Sequence, residues 1–282
     1  MSIPTPTAHS TALVTGASSG IGEALALQLA ARGHHITLVA RRRERLDELA
    51  ARIRAEYPGG ADVVSCDLTD RAARSALVDE VGRSGRWVSV LINNAGFATG
   101  GDFSTIDTDR EVDQVRVLVE AVVDLTSAFL PGMVERGEGA VLNIASTAGF
   151  QPLPWSAGYS AAKAHTLAFS EALHFEVIGR GVTVTALCPG PVRTEFWQIA
   201  GDQPIKKTMP KPMWVATDAV AAAGLRGLER GRRLVVPGGM VRMSSFGARW
   251  MPHAVQLPLL TRAMKPTSPH HQNQAKPARS KR

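Results

Sequence analysis

The run Thr15-Gly16-Ala17-Ser18-Ser19-Gly20-Ile21-Gly22 decides the fold. It follows a β-rich tetrad, Ala12–Thr15, and opens an Ala/Leu-rich stretch of helical length, Ile21–Arg32. Glycine permits a tight turn and a close backbone approach to a ligand. A helix start just behind the turn supplies unpaired N–H donors and the positive end of a dipole, a combination that suits a pyrophosphate. The placement between a first strand and a first helix is what gives the glycines this meaning.

Outward from this loop the chain alternates. Further β-rich runs stand at Ile36–Val39, Val63–Ser65, Val88–Ile92, Val141–Ile144, Val182–Leu187 and Leu234–Val236. Stretches of helical composition lie between them, among them Arg43–Glu56 and Tyr159–Ile178. Short apolar strands separated by helices predict an α/β fold with a parallel sheet covered on both faces. Right-handed crossovers make it doubly wound, with about seven strands.

Composition agrees with a globular chain. Hydrophobic residues are 44% and charged residues 20% of 282, which excludes global disorder. No unbroken run of 18 apolar residues occurs, so no membrane-spanning helix is expected. No basic-then-apolar leader precedes Thr11. Cys66 and Cys188 are too few for a disulfide scaffold, so reduced thiols and a cytoplasmic location are expected. The net charge of +7 is unevenly spread. Residues 1–200 carry 17 Lys/Arg against 22 Asp/Glu, whereas residues 201–282 carry 15 against 3. The C-terminal part is therefore expected either to be solvated or to meet an anionic surface, with peripheral membrane contact as one form of this.

The spacing Gly-x-x-x-Gly-x-Gly resembles that of the short-chain dehydrogenase/reductase family, and the rest of the chain extends the likeness. Asn93-Asn94-Ala95-Gly96 follows the fourth strand and Ser146 the fifth. Tyr159-Ser160-Ala161-Ala162-Lys163 opens the next long helix, and Pro189-Gly190 follows the sixth strand, with Thr194 beyond. The resemblance covers about residues 10–240 and implies a Rossmann-type domain over 1–240.

The resemblance implies a nicotinamide cofactor held by Gly16, Ser18, Ser19, Gly20, Ile21, Gly22, Asn94, Ala95, Gly96, Pro189 and Gly190. It sets Asp67 and Leu68 against adenine, Asn94 against the ribose, and Val192 and Thr194 against the carboxamide. Relatives that use NAD carry an acid after the second strand. Here Arg41, Arg42 and Arg43 stand there, and a guanidinium can pair with a 2′-phosphate. NADP is therefore expected, with Arg41 first and Arg42 second.

Tyr159 and Lys163 are four apart and share a helix face. The family roles make Tyr159 the proton donor to a carbonyl oxygen, its pKa lowered by nearby positive charge. Ser146 hydrogen-bonds the same oxygen, and Lys163 also holds the nicotinamide ribose. One position departs from the pattern: Leu118 stands where relatives carry an asparagine that holds a water behind the lysine. Gln114, one turn away, reaches that place only if the helix is distorted. A weakened, regulatory NADP-binding protein is the reading this departure adds. The histidines have no metal-ligand spacing and the tryptophans form no base-stacking platform, so neither metal nor nucleic acid is expected.

The substrate side is apolar. Thr147–Gly158 carries Phe150, Pro152, Leu153, Pro154 and Trp155, and Phe196–Trp214 carries Phe196, Trp197, Ile199, Ile205 and Met209. A hydrophobic ketone is expected. A weaker likeness to ketoacyl-type reductases of lipid metabolism favours a 3-oxoacyl substrate, with a steroid or other bulky carbonyl as the alternative. Residues 241–265 read as an amphipathic extension and 266–282 as a disordered basic tail. The family habit implies a homodimer or homotetramer through the helices Asp109–Arg136 and Ala157–Ile178.

Overall fold

The computed structural model describes residues 3–196 and 213–264, without the side chains of 248–250. Seven parallel strands form one sheet: β1 (Ser10–Thr15), β2 (Ile36–Ala40), β3 (Ala61–Ser65), β4 (Trp87–Asn93), β5 (Gly139–Ile144), β6 (Val182–Leu187) and β7 (Leu234–Val235). Their order across the sheet is 3-2-1-4-5-6-7. The expected doubly wound sheet is therefore present, and its order reverses between β1 and β4. Ligands in such sheets bind outside the strand C-termini at this switch point.

Both faces of the sheet are covered. On one, α1 (Gly20–Ala30), α2 (Arg43–Glu56) and α7 (Thr217–Glu229) bury Leu25, Leu46, Ile53 and Leu225 against Val14, Leu38 and Leu142. On the other, α3 (Arg71–Arg83), α5 (Ala121–Arg136) and α6 (Ala157–Glu176) cover Leu13, Leu91, Val141 and Val184. β1 to β5 reach one or two residues further than their apolar runs, β6 matches its run and β7 stops one residue short, and polar residues within the sheet are satisfied by hydrogen bonds. The Asn93 amide, for example, donates to Thr126 Oγ1 at 3.1 Å and to Asn143 Oδ1 at 2.8 Å.

The helix before β5 is not regular. α4 (Thr108–Val115) runs into a π turn, Arg116–Glu120, and continues as α5. Such turns inside α-helices often mark functional sites. By length and composition Thr108–Arg136 would suffice to cross a membrane, which corrects the expectation drawn from unbroken apolar runs. Here it buries Val117, Leu118, Ala121 and Leu125 within the domain. Cys66 and Cys188 are both buried, and no disulfide joins them.

After β7 come α8 (Gly239–Trp250) and α9 (His253–Met264). They are held to the loop before α6: Trp155 Nε1 donates to the Thr261 carbonyl at 3.3 Å, and the Gln256 amide donates to Gln151 Oε1. Trp155 takes φ +65°, a left-handed conformation costly for a bulky side chain. The Trp155 carbonyl accepts from Gly101 N at 2.9 Å. The expectations placed on residues 197–212 and 265–282 lie outside the described residues.

Candidate active site

A cavity of about 750 Å³ opens at the C-terminal edge of the sheet. Every residue the sequence assigned to cofactor or catalysis lines it except Gly22. Gly22 instead packs the first turn of α1 onto the loop. A Cβ there would stand 2.3 Å from the Gly16 carbonyl oxygen and 2.4 Å from Asn94 Nδ2. Gly16 itself has φ +65°, and a Cβ on it would meet the Ala95 Cα at 2.8 Å.

The loop suits an anion. Ser19 is the N-cap of α1 yet makes no side-chain capping bond, so it leaves the first-turn N–H groups to another acceptor. By contrast, Asp70 and Asp107 cap α3 and α4 with their carboxylates. The Asn94 amide donates to the carbonyls of Thr15 and Gly16, which ties the β4 end to the glycine loop. A phosphate-bearing dinucleotide fits this cradle: the loop supplies backbone donors, Asp67, Leu68, Val192 and Thr194 share the lining, and Thr194 packs on the loop, 3.1 Å from where a Cβ on Gly20 would stand.

Arg42, not Arg41, reaches the loop, with its Nη2 donating to Ser18 Oγ at 3.0 Å and Ser19 Oγ at 3.1 Å. Arg42 is the N-cap of α2, with φ −84° and ψ 90°, outside the helical region. Arg41 is exposed at the same end of the cavity.

Ser146, Tyr159 and Lys163 converge. Ser146 Oγ caps a 3₁₀ turn, accepting from Ala148 N at 3.1 Å. It also hydrogen-bonds Tyr159, which pulls the phenol pKa down. Burial pulls harder in the other direction and pushes Tyr159 up to about 12. The lowering expected from Lys163 is not found. Its Nζ lies 5.9 Å from the Tyr159 ring centre, and burial brings its own pKa down to about 8. Lys163 Nζ donates to the Ile144 carbonyl at 2.6 Å, which fixes the ammonium beneath the tyrosine.

Leu118 sits inside the π turn and is 1% exposed. A Cβ on Gly96 would fall 2.6 Å from its Cδ2 and 3.9 Å from Lys163 Nζ, so the leucine fills the space over Gly96 beside the lysine. The helix is distorted, as the Gln114 alternative required, yet Gln114 turns elsewhere. Its Oε1 accepts from Thr99 N at 2.8 Å. The Leu118 carbonyl remains polar at this spot and accepts from Thr166 Oγ1 at 3.1 Å.

Sequence reasoning missed several residues. Arg74 is 2% exposed and donates to the Leu68 carbonyl at 2.7 Å, to Asp124 at 2.7 Å and to Glu120. Val241, Ser244, Ser245 and Met264 line the cavity, so the C-terminal extension forms part of its wall. Glu195 stands among the arginines. An arginine inside an otherwise apolar helix face was the one readable signal for Arg74. The amphipathic pattern of the C-terminal extension already allowed a flap over the pocket, and nothing local marked Glu195.

Comparison with known proteins agrees with this geometry. The family model described as short chain dehydrogenase matches residues 10–204. The chain is 34% identical over 226 residues to the very-long-chain 3-oxoacyl-CoA reductase of Anas platyrhynchos, covering 78% of this chain and 70% of that protein. It is 35% identical to a Streptomyces violaceoruber protein named as a ketoacyl reductase of the granaticin polyketide synthase, covering 78% and 86%. Among solved structures, a short-chain dehydrogenase from Sphingobium yanoikuyae in complex with NADPH superposes with a TM-score of 0.76. The two are 34% identical, over 89% of this chain and 95% of that one. With the glycine loop, the serine and the tyrosine–lysine pair gathered at one cavity, the chain belongs to the short-chain dehydrogenase family and is an oxidoreductase of alcohol or ketone groups.

Proposed function

We propose that the protein is an NADPH-dependent carbonyl reductase acting on a hydrophobic 3-oxoacyl-type ketone. The observation that carries this is the apolar lining that the cavity adds to Ser146 and Tyr159: Phe97, Phe150, Leu153, Phe196, Met213 and Met264, with the Phe196 ring centre 5.7 Å from that of Tyr159. NADPH when bound supplies the hydride. Tyr159, protonated at neutral pH because burial raises it to about 12, gives its proton to the carbonyl oxygen. Ser146 holds that oxygen, and the Lys163 ammonium favours the phenolate left behind. The similarity to two proteins named for ketoacyl reduction supports the substrate class. Assay of 3-oxoacyl thioesters of increasing chain length by NADPH absorbance tests it, and rates should rise with chain length.

NADP is favoured by Arg42 at the loop and by the NADPH held in a 34% identical structure. In a calorimetric titration NADPH should bind at least ~10-fold more tightly than NADH, as a charge-assisted guanidinium–phosphate pair provides. Equal affinities would refute the preference.

We also propose a homodimer or homotetramer in a cytoplasmic protein that contacts anionic membrane surfaces. Val112, Val115, Phe175 and Ile178 are exposed on the helix pair expected at the interface. Sedimentation as a monomer at micromolar concentration would refute the oligomer. The outer face of α8 and α9 exposes Met240, Met243, Phe246, Val255 and Leu259, and residues 239–282 contain no Asp or Glu. Truncation after Lys265 removes Lys276, Arg279, Lys281 and Arg282 and takes the net charge from +7 to +3. It should weaken adsorption to phosphatidylserine vesicles while leaving NADPH affinity unchanged. Adsorption equal to that of the full chain would remove the tail from this role.

A further inference from the structure

Glu195 follows Thr194 beyond β6 and lines the cavity at its arginine end. Its Oε2 accepts from Arg42 Nη1 at 2.9 Å and its Oε1 from Arg45 Nη1 at 2.6 Å. The other terminal nitrogen of Arg42 is the one that donates to Ser18 and Ser19. One guanidinium is thus divided between the glycine loop and a carboxylate delivered from the far half of the sheet. The two arginines hold the Glu195 carboxyl below the usual carboxylate range, so it is charged at neutral pH. The side chains of Glu195, Arg42 and Arg45 are 36%, 42% and 45% exposed. Ion pairs so open to water add little to stability, so the arrangement is better judged by its effect on a ligand.

We propose that Glu195 sets the cofactor preference of this protein by competing with the 2′-phosphate of NADP for Arg42. The inference rests on the NADP reading and deepens it. A 2′-phosphate taken by Arg42 carries close to two negative charges and enters beside a carboxylate already paired with that guanidinium. The site must then break the Arg42–Glu195 pair before Arg42 can take the phosphate. A 2′-hydroxyl meets no such opposition and can donate to the carboxylate. The absence of an acid after β2 therefore does not leave the site free of acid. The acid arrives from another strand and limits a selectivity that the arginines alone would make larger.

The test is calorimetric titration of NADPH and NADH into the wild type, Glu195→Gln, Arg42→Ala and the double variant, at one ionic strength. Glutamine keeps the shape and removes the charge at an exposed position, and unchanged thermal unfolding verifies the fold. Glu195→Gln should tighten NADPH by about 5-fold, the upper end for giving up one exposed ion pair, and leave NADH within twofold or weaken it. In the Arg42→Ala background the same substitution should change NADPH affinity by less than twofold. An unchanged or reduced NADPH affinity in Glu195→Gln would overturn the proposal, since Glu195 would then merely hold Arg42 in place. A full effect persisting without Arg42 would also overturn it. A wild type with no NADPH preference, converted to one by Glu195→Gln, would sink the NADP reading while supporting this inference.

Discussion

Tyr159→Phe is expected to lower the rate of ketone reduction at least ~100-fold, the scale for loss of a positioned general acid. NADPH affinity should stay within twofold. The ring of Phe fills the same space on α6 and keeps the contact with Phe196, whose ring centre lies 5.7 Å away. What disappears is the hydroxyl that Ser146 orients. The loss should appear equally in single-turnover and steady-state rates, because proton donation belongs to the chemical step. The pH profile of the wild type follows from the same two groups. Tyr159, raised to about 12, stays protonated through the neutral range. Lys163, lowered to about 8, is charged below that pH and neutral above it. kcat/KM for reduction should therefore be level below about pH 8 and fall above it. A profile that rises through pH 8 would contradict the role given to Lys163.

The second large effect is on stability. Arg74→Ala should cost about 3 kcal/mol, near the lower end of the range for removing one member of a buried ion cluster. The lower end applies because Glu120 and Asp124 are 46% and 33% exposed and regain water when the arginine is gone. The melting temperature should fall by roughly 6 °C or more. Arg74 joins three parts of the fold: α3, the π turn and α5 through its acids, and the loop after β3 through the Leu68 carbonyl. Arg74→Lys should recover only part of the loss, since one ammonium cannot match a forked donor set to three acceptors. NADPH affinity should weaken with it, because Leu68 lines the cavity. A melting temperature unchanged in Arg74→Ala would show that the cluster is not a structural clamp.

What could be read in the sequence is what chain order and local spacing determine. The glycine loop follows a strand and precedes a helix, so its place was fixed by its neighbours. Tyr159 and Lys163 share a face because four residues are about one helical turn. The family pattern set Leu118 behind the lysine, and the structure has both beside Gly96. That pattern could not show the π turn around Leu118, since the turn depends on how α4 and α5 pack together. Nor could it show that Gln114 is drawn away by Thr99. Nor could it show that Arg42 is the arginine bonded to Ser18 and Ser19, since that depends on the backbone at the α2 N-cap. Glu195 and Arg42 are 153 residues apart in sequence, and only the closed sheet brings them together. The same holds for Trp155 and Thr261, which turn the expected extension into a cavity wall.

The central claim is that this site delivers a hydride to a ketone while Tyr159 delivers the proton. Its most direct test is product analysis after incubation with NADPH carrying deuterium at the transferred position of the nicotinamide and a long-chain 3-oxoacyl thioester. The account predicts a 3-hydroxyacyl product with one deuterium on the carbinol carbon, formed by the wild type and at least ~100-fold more slowly by Tyr159→Phe, though both bind the cofactor. A wild-type protein that binds NADPH yet forms no deuterated alcohol from any ketone in the chain-length series would contradict it.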